Sequence, residues 1–482
     1  MKKTILYFTL IIHFLTFGQD YDSMYELTGE DNGLFGFSVS MSENGQRIAI
    51  GSPLSDINGE NSGKVEIFEF NGIDWTQIGN DIIGDEIGDR LGYNLEISSS
   101  GNKLIIGAPN SNEISGKVKL FEFNGANWIE NHTLQFDENQ FGMDVTFSHN
   151  EDRVAISSAI DTKVYQIDEI NDNLISLGGL NWGSRSVALS HNGEILVESG
   201  YPFYSQGPRL SRMYSFDGNI WNILGDHSNV FQYNGGCNGG CPENFTGRID
   251  INDTNSVKVL SSQRYPNGIY LKILEYNTNS NSWDEIGLVQ ESSFNNPGVS
   301  NTEMESSFML SSSGDYVLTV NTGWVANRTS YLNIYKKNNN YLKIHDIVLP
   351  QLFFDSSTEP IYSFGFKGLA FSENSSTIVI GLPTYNSVRI YNINTLLSLE
   401  DNSQSILEFY PNPTKNKILL KGNSINEFEF IKFYNMNMQL IKNYKKIENS
   451  SIDISNLNSG IYFMSIKLKG KSNIVIKKII KE

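Results

Sequence analysis

The chain has 482 residues, 54 Asp and Glu against 36 Lys and Arg, a formal net charge of −18 and two cysteines. So acidic a body lacks the basic surface that a phosphate backbone requires, which sets nucleic acid aside as a partner. Two cysteines, with His227 the nearest histidine, are too few for a zinc centre or a disulfide-built scaffold.

Lys2-Lys3 followed by an apolar run from Ile5 to Phe17 has the layout of a secretory signal peptide covering residues 1–18, with cleavage near Gly18-Gln19. The run is too short to cross a bilayer, and no later segment supplies the roughly 20 apolar residues that a transmembrane helix needs. An exported protein without a transmembrane helix is expected.

Residues 19–394 are built on a repeat. "FGFSVSMSENGQRIAIGSP" (Phe35 to Pro53) returns as "LGYNLEISSSGNKLIIGAP" (Leu91 to Pro109), and each continues through "GKVEIFEFNGIDW" or "GKVKLFEFNGANW". Two alternating strands, a loop, a third strand, an Asn-Gly turn and a fourth strand make one antiparallel sheet. The first hairpin recurs at Asp144–Ser157, Ser186–Ser199, Arg248–Ser262, Ser307–Val320 and Gly368–Pro383, giving seven copies in all. Third strands are predicted at Val65–Phe70, Val118–Phe123, Val164–Ile167, Met213–Phe216, Leu271–Tyr276, Leu332–Tyr335 and Val388–Tyr391. Small twisted sheets bury their faces by stacking on one another, and the closed solution is a β-propeller, here with seven blades. The last copy lacks a fourth strand, whereas "MYELTGEDNGLFG" (Met24 to Gly36) matches the segment that leads into the second copy. The N-terminal strand is therefore expected to complete the last blade, which removes two exposed sheet edges.

Between the fourth and fifth copies, "NGGCNGGCPENF" holds Cys237 and Cys241. In an oxidising compartment a local disulfide is expected, stiffening a long loop. Residues 395–404 read as a linker. From Ser405 to Glu482 the balance reverses, to 13 Lys and Arg against 6 Asp and Glu, and short alternating strands separated by Asn and Gly predict a small β-sandwich.

Two resemblances follow. The last domain is similar to the type A C-terminal sorting domains of the type IX secretion system of Bacteroidetes. The carrying elements are Pro411-Asn412-Pro413 with its flanking Tyr410 and Thr414, the L-x-x-G-x-Y element with Gly460 and Tyr462, and a basic tail with Lys477 and Lys478. The resemblance implies engagement with the type IX machinery, removal of the domain, and release or attachment at the cell surface. The repeats resemble flavobacterial secreted propellers related to the FG-GAP repeats of integrin α chains, through Trp75 to Gly79, Ser38-Val39 and Ile48 to Gly51. FG-GAP repeats usually carry an Asp-x-Asp-x-Asp-Gly calcium loop between their first two strands. Here those turns read "SENGQR", "SSSGNK" and "SHNEDR", so no metal site is expected.

No nucleophile elbow, H-E-x-x-H helix, phosphate loop or dinucleotide fingerprint occurs, and no cofactor or enzymatic activity is expected. His149 and His191 read as filler at equivalent hairpin turns; His132 and His345 read as isolated. The connections between second and third strands are small in the first two copies. In the fourth to sixth they hold Tyr201, Phe203, Tyr204 and Arg209, then Arg264 and Tyr265, then Trp324 and Arg328. Aromatic residues and arginine dominate binding hot spots and sugar stacking, so these eight are the expected ligand-binding residues, for a protein or glycan outside the cell. A polysaccharide hydrolase with carboxylates lining the channel, or a structural surface-layer protein, is the alternative.

Overall fold

The computed structural model describes residues 25–30, 33–109, 115–136, 140–181, 186–200, 210–225, 249–252, 256–265, 268–291, 306–311, 313–321, 330–338, 340–349, 367–372, 374, 376–393, 408–410, 414–421, 428–434, 440–444, 451–468 and 474–481. The chain divides into two compact units, residues 1–393 and 394–482. Apart from a three-residue 3-10 turn at Pro383–Tyr385, every named element is a β-strand.

In the first unit, four-stranded antiparallel sheets follow one another in chain order. The second is Asn94–Ile97, Lys103–Ala108, Gly116–Phe123 and Trp128–Phe136; the third is Asp144–Phe147, Arg153–Ser157, Thr162–Asp168 and Asn173–Leu180. The fourth is Ser186–Leu189, Ile195–Gly200, Leu210–Phe216 and Trp221–Ile223, and the fifth is Ile249–Asn252, Ser256–Tyr265, Gly268–Asn277 and Ser282–Glu291. The sixth is Ser306–Leu310, Tyr316–Asn321, Ser330–Asn338 and Asn340–Leu349. The last joins Leu369–Ser372, Thr377–Leu382 and Ser387–Asn392 to the N-terminal strand Tyr25–Thr28, in the register Tyr25↔Ile390 to Thr28↔Ser387. Six sheets thus have the four strands that the repeat predicts, and the first departs from it. Beside Ser38–Met41, Arg47–Ser52 and Lys64–Phe70, its outer edge is split into Trp75–Gln77 and Ile82–Ile83, which pair with opposite ends of Lys64–Phe70. The break falls at Gly79, whose φ of +73° no extended strand accommodates.

First strands of neighbouring sheets lie side by side from the sixth sheet through the last and on to the fourth, so in these six sheets the first strand is innermost. Sheet faces share apolar cores. Val388 of the last sheet joins Ile50 of the first; Val65 joins Ile106 of the second; Val118 joins Ile156 of the third. This ring of stacked sheets is a β-propeller. Trp75 and Trp128 lie in the core shared with the preceding sheet, which explains why the sequence repeats them.

The recurring glycines have one physical cause. A Cβ on Gly51 would lie 2.2 Å from the carbonyl oxygen of Gly92, one on Gly107 2.1 Å from that of Gly142, and one on Gly381 1.8 Å from that of Gly36. At three successive junctions, then, the second strand of one sheet meets the start of the next backbone to backbone, which only glycine allows. Arg47 ties the first sheet to the second through a 2.9 Å hydrogen bond to the Gly101 carbonyl, and Arg153 ties the third to the fourth through one of 2.9 Å to Gly193.

The second unit holds a three-stranded sheet (Glu408–Tyr410, Lys417–Lys421, Ser451–Asp453) and a four-stranded sheet (Phe428–Tyr434, Leu440–Tyr444, Gly460–Leu468, Ile474–Lys481). Ile418 and Ile452 of one share a buried core with Ile431, Phe433, Met464 and Ile479 of the other.

Candidate binding face

The innermost strands begin, and the second-to-third connections leave, at the same end of the propeller. At that end the first residues of four successive innermost strands are Ser38, Asn94, Asp144 and Ser186, all buried and polar. Asp144 is their node. Its Oδ1 accepts from Asn94 Nδ2 at 2.8 Å, from its neighbour Val145 N at 2.8 Å and from the Lys367 ammonium; its Oδ2 accepts from Val187 N at 2.9 Å. One carboxylate thereby connects the second, third, fourth and last sheets, its charge matched by Lys367. Neither residue stands out in the sequence, since the chain holds 54 carboxylates and only the ring closure brings them together.

Beside Asp144 the repeat breaks. In strand register, Ser157 of the third sheet stands where the first has Gly51, and Thr162 stands where it has Val65. Across the junction, Glu198 of the fourth sheet occupies the place of Ile50, Ile106 and Ile156. An apolar Val–Ile pair has become a hydrogen-bonded polar one: Glu198 Oε2 accepts from Thr162 Oγ1 at 3.0 Å and Oε1 from the Tyr214 hydroxyl at 3.0 Å. Glu198 is 1% exposed. Burial pushes its carboxyl up to about 7, against the opposing hydrogen bonds of Tyr214 and Thr162 and the charge of Arg212. Burial, and then the Glu198 charge, raise the Tyr214 hydroxyl to about 12. Residues 201–209, which hold four of the expected ligand-binding residues, follow directly in the sequence.

Tyr201, Phe203, Tyr204, Arg209, Trp324 and Arg328 lie outside the described residues, as do Cys237 and Cys241. Arg264 and Tyr265 correct the expectation of a loop. They end strand Ser256–Tyr265, with Arg264 opposite Ile269 and Tyr265 opposite Gly268. The alternation of "SVKVLSSQRY" and "GIYLKILEYN" sustains the ladder for ten residues on each side, leaving only Pro266-Asn267 to connect them.

At the opposite end, His149 and His191 stack at 4.3 Å between ring centroids, and His149 Nε2 lies 3.3 Å from Glu43 Oε2. Equivalent turns of adjacent sheets are therefore in contact. His132, expected to be isolated, lies 3.4 Å from Asp172 Oδ1. The acidic segment after the first sheet is held by lysines. Lys117 Nζ is 3.3 Å from both Asp89 carboxylate oxygens and Lys119 Nζ is 2.7 Å from Asp85 Oδ1. Burial opposes ionisation of Asp85, but Lys119 and Lys117 outweigh it and hold the carboxyl below its ordinary range.

In the second unit the L-x-x-G-x-Y element and the basic tail pair directly, and Thr414 meets the same tail. Gly460–Leu468 runs antiparallel to Ile474–Lys481, placing Gly460 opposite Lys481, Phe463 opposite Lys478 and Met464 opposite Lys477. Thr414 bridges to Lys481 and its N–H donates to the Ile480 carbonyl at 2.9 Å. Tyr462 is buried, its hydroxyl donating to the Asn458 carbonyl at 2.9 Å. Pro411, Asn412 and Pro413 lie outside the described residues.

Residues 408–482 match the family described as "Secretion system C-terminal sorting domain". The chain thus carries a type IX sorting domain, which implies engagement of that machinery and passage to the cell surface or beyond. No helix among the described residues is long and apolar enough to cross a membrane. No curated protein matches the sequence. Among solved structures, the chain is similar to hydrazine synthase of Kuenenia stuttgartiensis, at 11% identity over 76% of this chain and 97% of that one, with a TM-score of 0.46. It is also similar to Sqt1 of Chaetomium thermophilum (12% identity, 74% and 95% coverage, TM-score 0.45) and to a chain of a mitotic checkpoint complex (10%, 81% and 99%, TM-score 0.49). At these identities the likeness carries nothing about activity.

Proposed function

We propose that this is an exported binding protein, in which a seven-bladed propeller related to FG-GAP repeats engages a glycan or protein outside the cell. A C-terminal β-sandwich directs its secretion and is then removed, and the propeller is released or held at the surface. The observation that carries this reading is the break in the repeat between the third and fourth sheets. A scaffold that repeats one apolar contact at three junctions departs from it where the sequence places its longest run of aromatic and arginine residues. Binding is preferred to hydrolysis because the two buried carboxylates beside this break are already engaged: Glu198 by two hydroxyls, Asp144 by Lys367, Asn94 and two backbone N–H groups. A general acid needs an accessible carboxyl.

Replacing Tyr204, Tyr265 and Trp324 together with Ala tests the site. The expected result is lost retention on whole cells and on a glycan array with the melting temperature unchanged; wild-type retention, or a collapse of stability, refutes it. Secretion has its own test. Deleting residues 405–482 is expected to leave the propeller in the periplasm, and its recovery from the medium at wild-type level would contradict the role given to the last domain.

A further inference from the structure

We propose that the contact between the third and fourth sheets is a pH-operated joint, closed when Glu198 is protonated and loosened when it ionises. The argument rests on placement. Glu198 stands at a position that is Ile in four other sheets, Ile50, Ile106, Ile156 and Ile380, and its partner Thr162 stands where three others have Val65, Val118 and Val388. Its two hydrogen-bonding neighbours are neutral hydroxyls, which favour the carboxylate as donors but can also accept from a carboxylic acid. The hydrogen bonds therefore survive in both states, while the desolvation cost falls on the charged state alone.

The surrounding charges do not remove that cost. From the third sheet, Asp161 adds negative charge, but Lys163 and Ser158 already engage its carboxylate. From the fourth, Arg212 lies opposite Glu198 in the strand ladder and favours ionisation without overcoming burial. Asp144, which receives the Val187 N–H of the neighbouring strand, is matched by Lys367. The apolar remainder of the joint includes Val164 and Leu180 on one side and Val187, Leu196 and the Tyr214 ring on the other.

The sign follows from proton counting. The folded joint holds its proton up to about pH 7, whereas the opened joint releases it near the ordinary 4.5. Closure is therefore fully stable below pH 4.5, weakens as pH rises, and has lost the whole contribution above about 7. The limit of the effect is roughly 300-fold in the opening equilibrium, from the difference between the two values.

Hydrogen exchange of the full mature protein at about pH 5.5 and about pH 8.5, corrected for intrinsic exchange, reads the joint directly. Peptides covering Thr162–Asp168 and Ile195–Gly200 are expected to lose protection by about tenfold or more at the higher pH, while Arg47–Ser52 and Lys64–Phe70 of the first sheet do not. Glu198→Gln keeps the hydrogen bonds without the titration and should abolish the difference. Should that variant fail to fold, the triple change Thr162→Val, Glu198→Ile and Tyr214→Phe rebuilds the contact of the first two sheets and should abolish it equally. Wild-type protection independent of pH, or a variant that keeps the pH dependence, overturns the proposal.

Discussion

A chain beginning at Gly33 is expected to melt roughly 5–10 °C below one beginning at Gln19, because it lacks the strand that closes the ring. Tyr25–Thr28 supplies four register positions against Ser387–Asn392. Tyr25 and Leu27 pack on the core that the last sheet shares with the first, which includes Trp75 and Ile50. The Tyr25 ring meets Phe70 at 5.6 Å between centroids, and its hydroxyl donates to the Ile73 carbonyl at 3.2 Å. The strand therefore touches both sides of the seam. Its loss removes two apolar side chains that cover this core, at about 1 kcal/mol or more each, and opens the edge of Ser387–Asn392 to pairing with another chain. Differential scanning calorimetry of the two chains measures the shift, with light scattering to follow association. Equal melting temperatures would mean that the ring does not depend on this strand.

Gly51→Ala is expected to cost about 3 kcal/mol or more, and Gly125→Ala only about 1 kcal/mol. At Gly51 the new methyl would lie 2.2 Å from the Gly92 carbonyl oxygen and 2.3 Å from Ser38 Oγ, and the first of these is backbone that cannot rotate away. The sheets must separate or the strand must shift. At Gly125 nothing lies within 4 Å, and only the backbone conformation, φ +92°, resists a side chain. Denaturant unfolding of both variants isolates the steric contribution from the conformational one. Comparable losses would show that the glycine-to-glycine contact between sheets is not what the repeat preserves.

The repeat made most of the propeller legible. All seven predicted third strands lie within observed ones, from Lys64–Phe70 to Ser387–Asn392, because each reads as an alternating run bounded by turn residues. The N-terminal closing strand was legible too, since its flanking segment copies the one that leads into the second sheet. Gly36, Gly92 and Gly142 were marked by recurrence, although their reason, a second glycine facing each across a junction, needed the packed sheets.

Elsewhere local pattern fell short. The sequence placed Arg264 and Tyr265 in a loop because aromatic and basic residues near Pro-Asn-Gly suggest one, yet the ladder continues through both, since cross-strand pairing outweighs composition. His149 and His191 looked like filler because their contact crosses between sheets. Glu198 was visible only as one carboxylate among many. By itself the sequence determined the repeat, its strands, its closure and the sorting signal, all of which are local patterns of side-chain period and turn chemistry. Tertiary structure alone decided that Glu198 faces Thr162 and that Lys367 reaches Asp144. Both pairs join residues from different sheets, and only closing the ring sets their distance and removes the water between them.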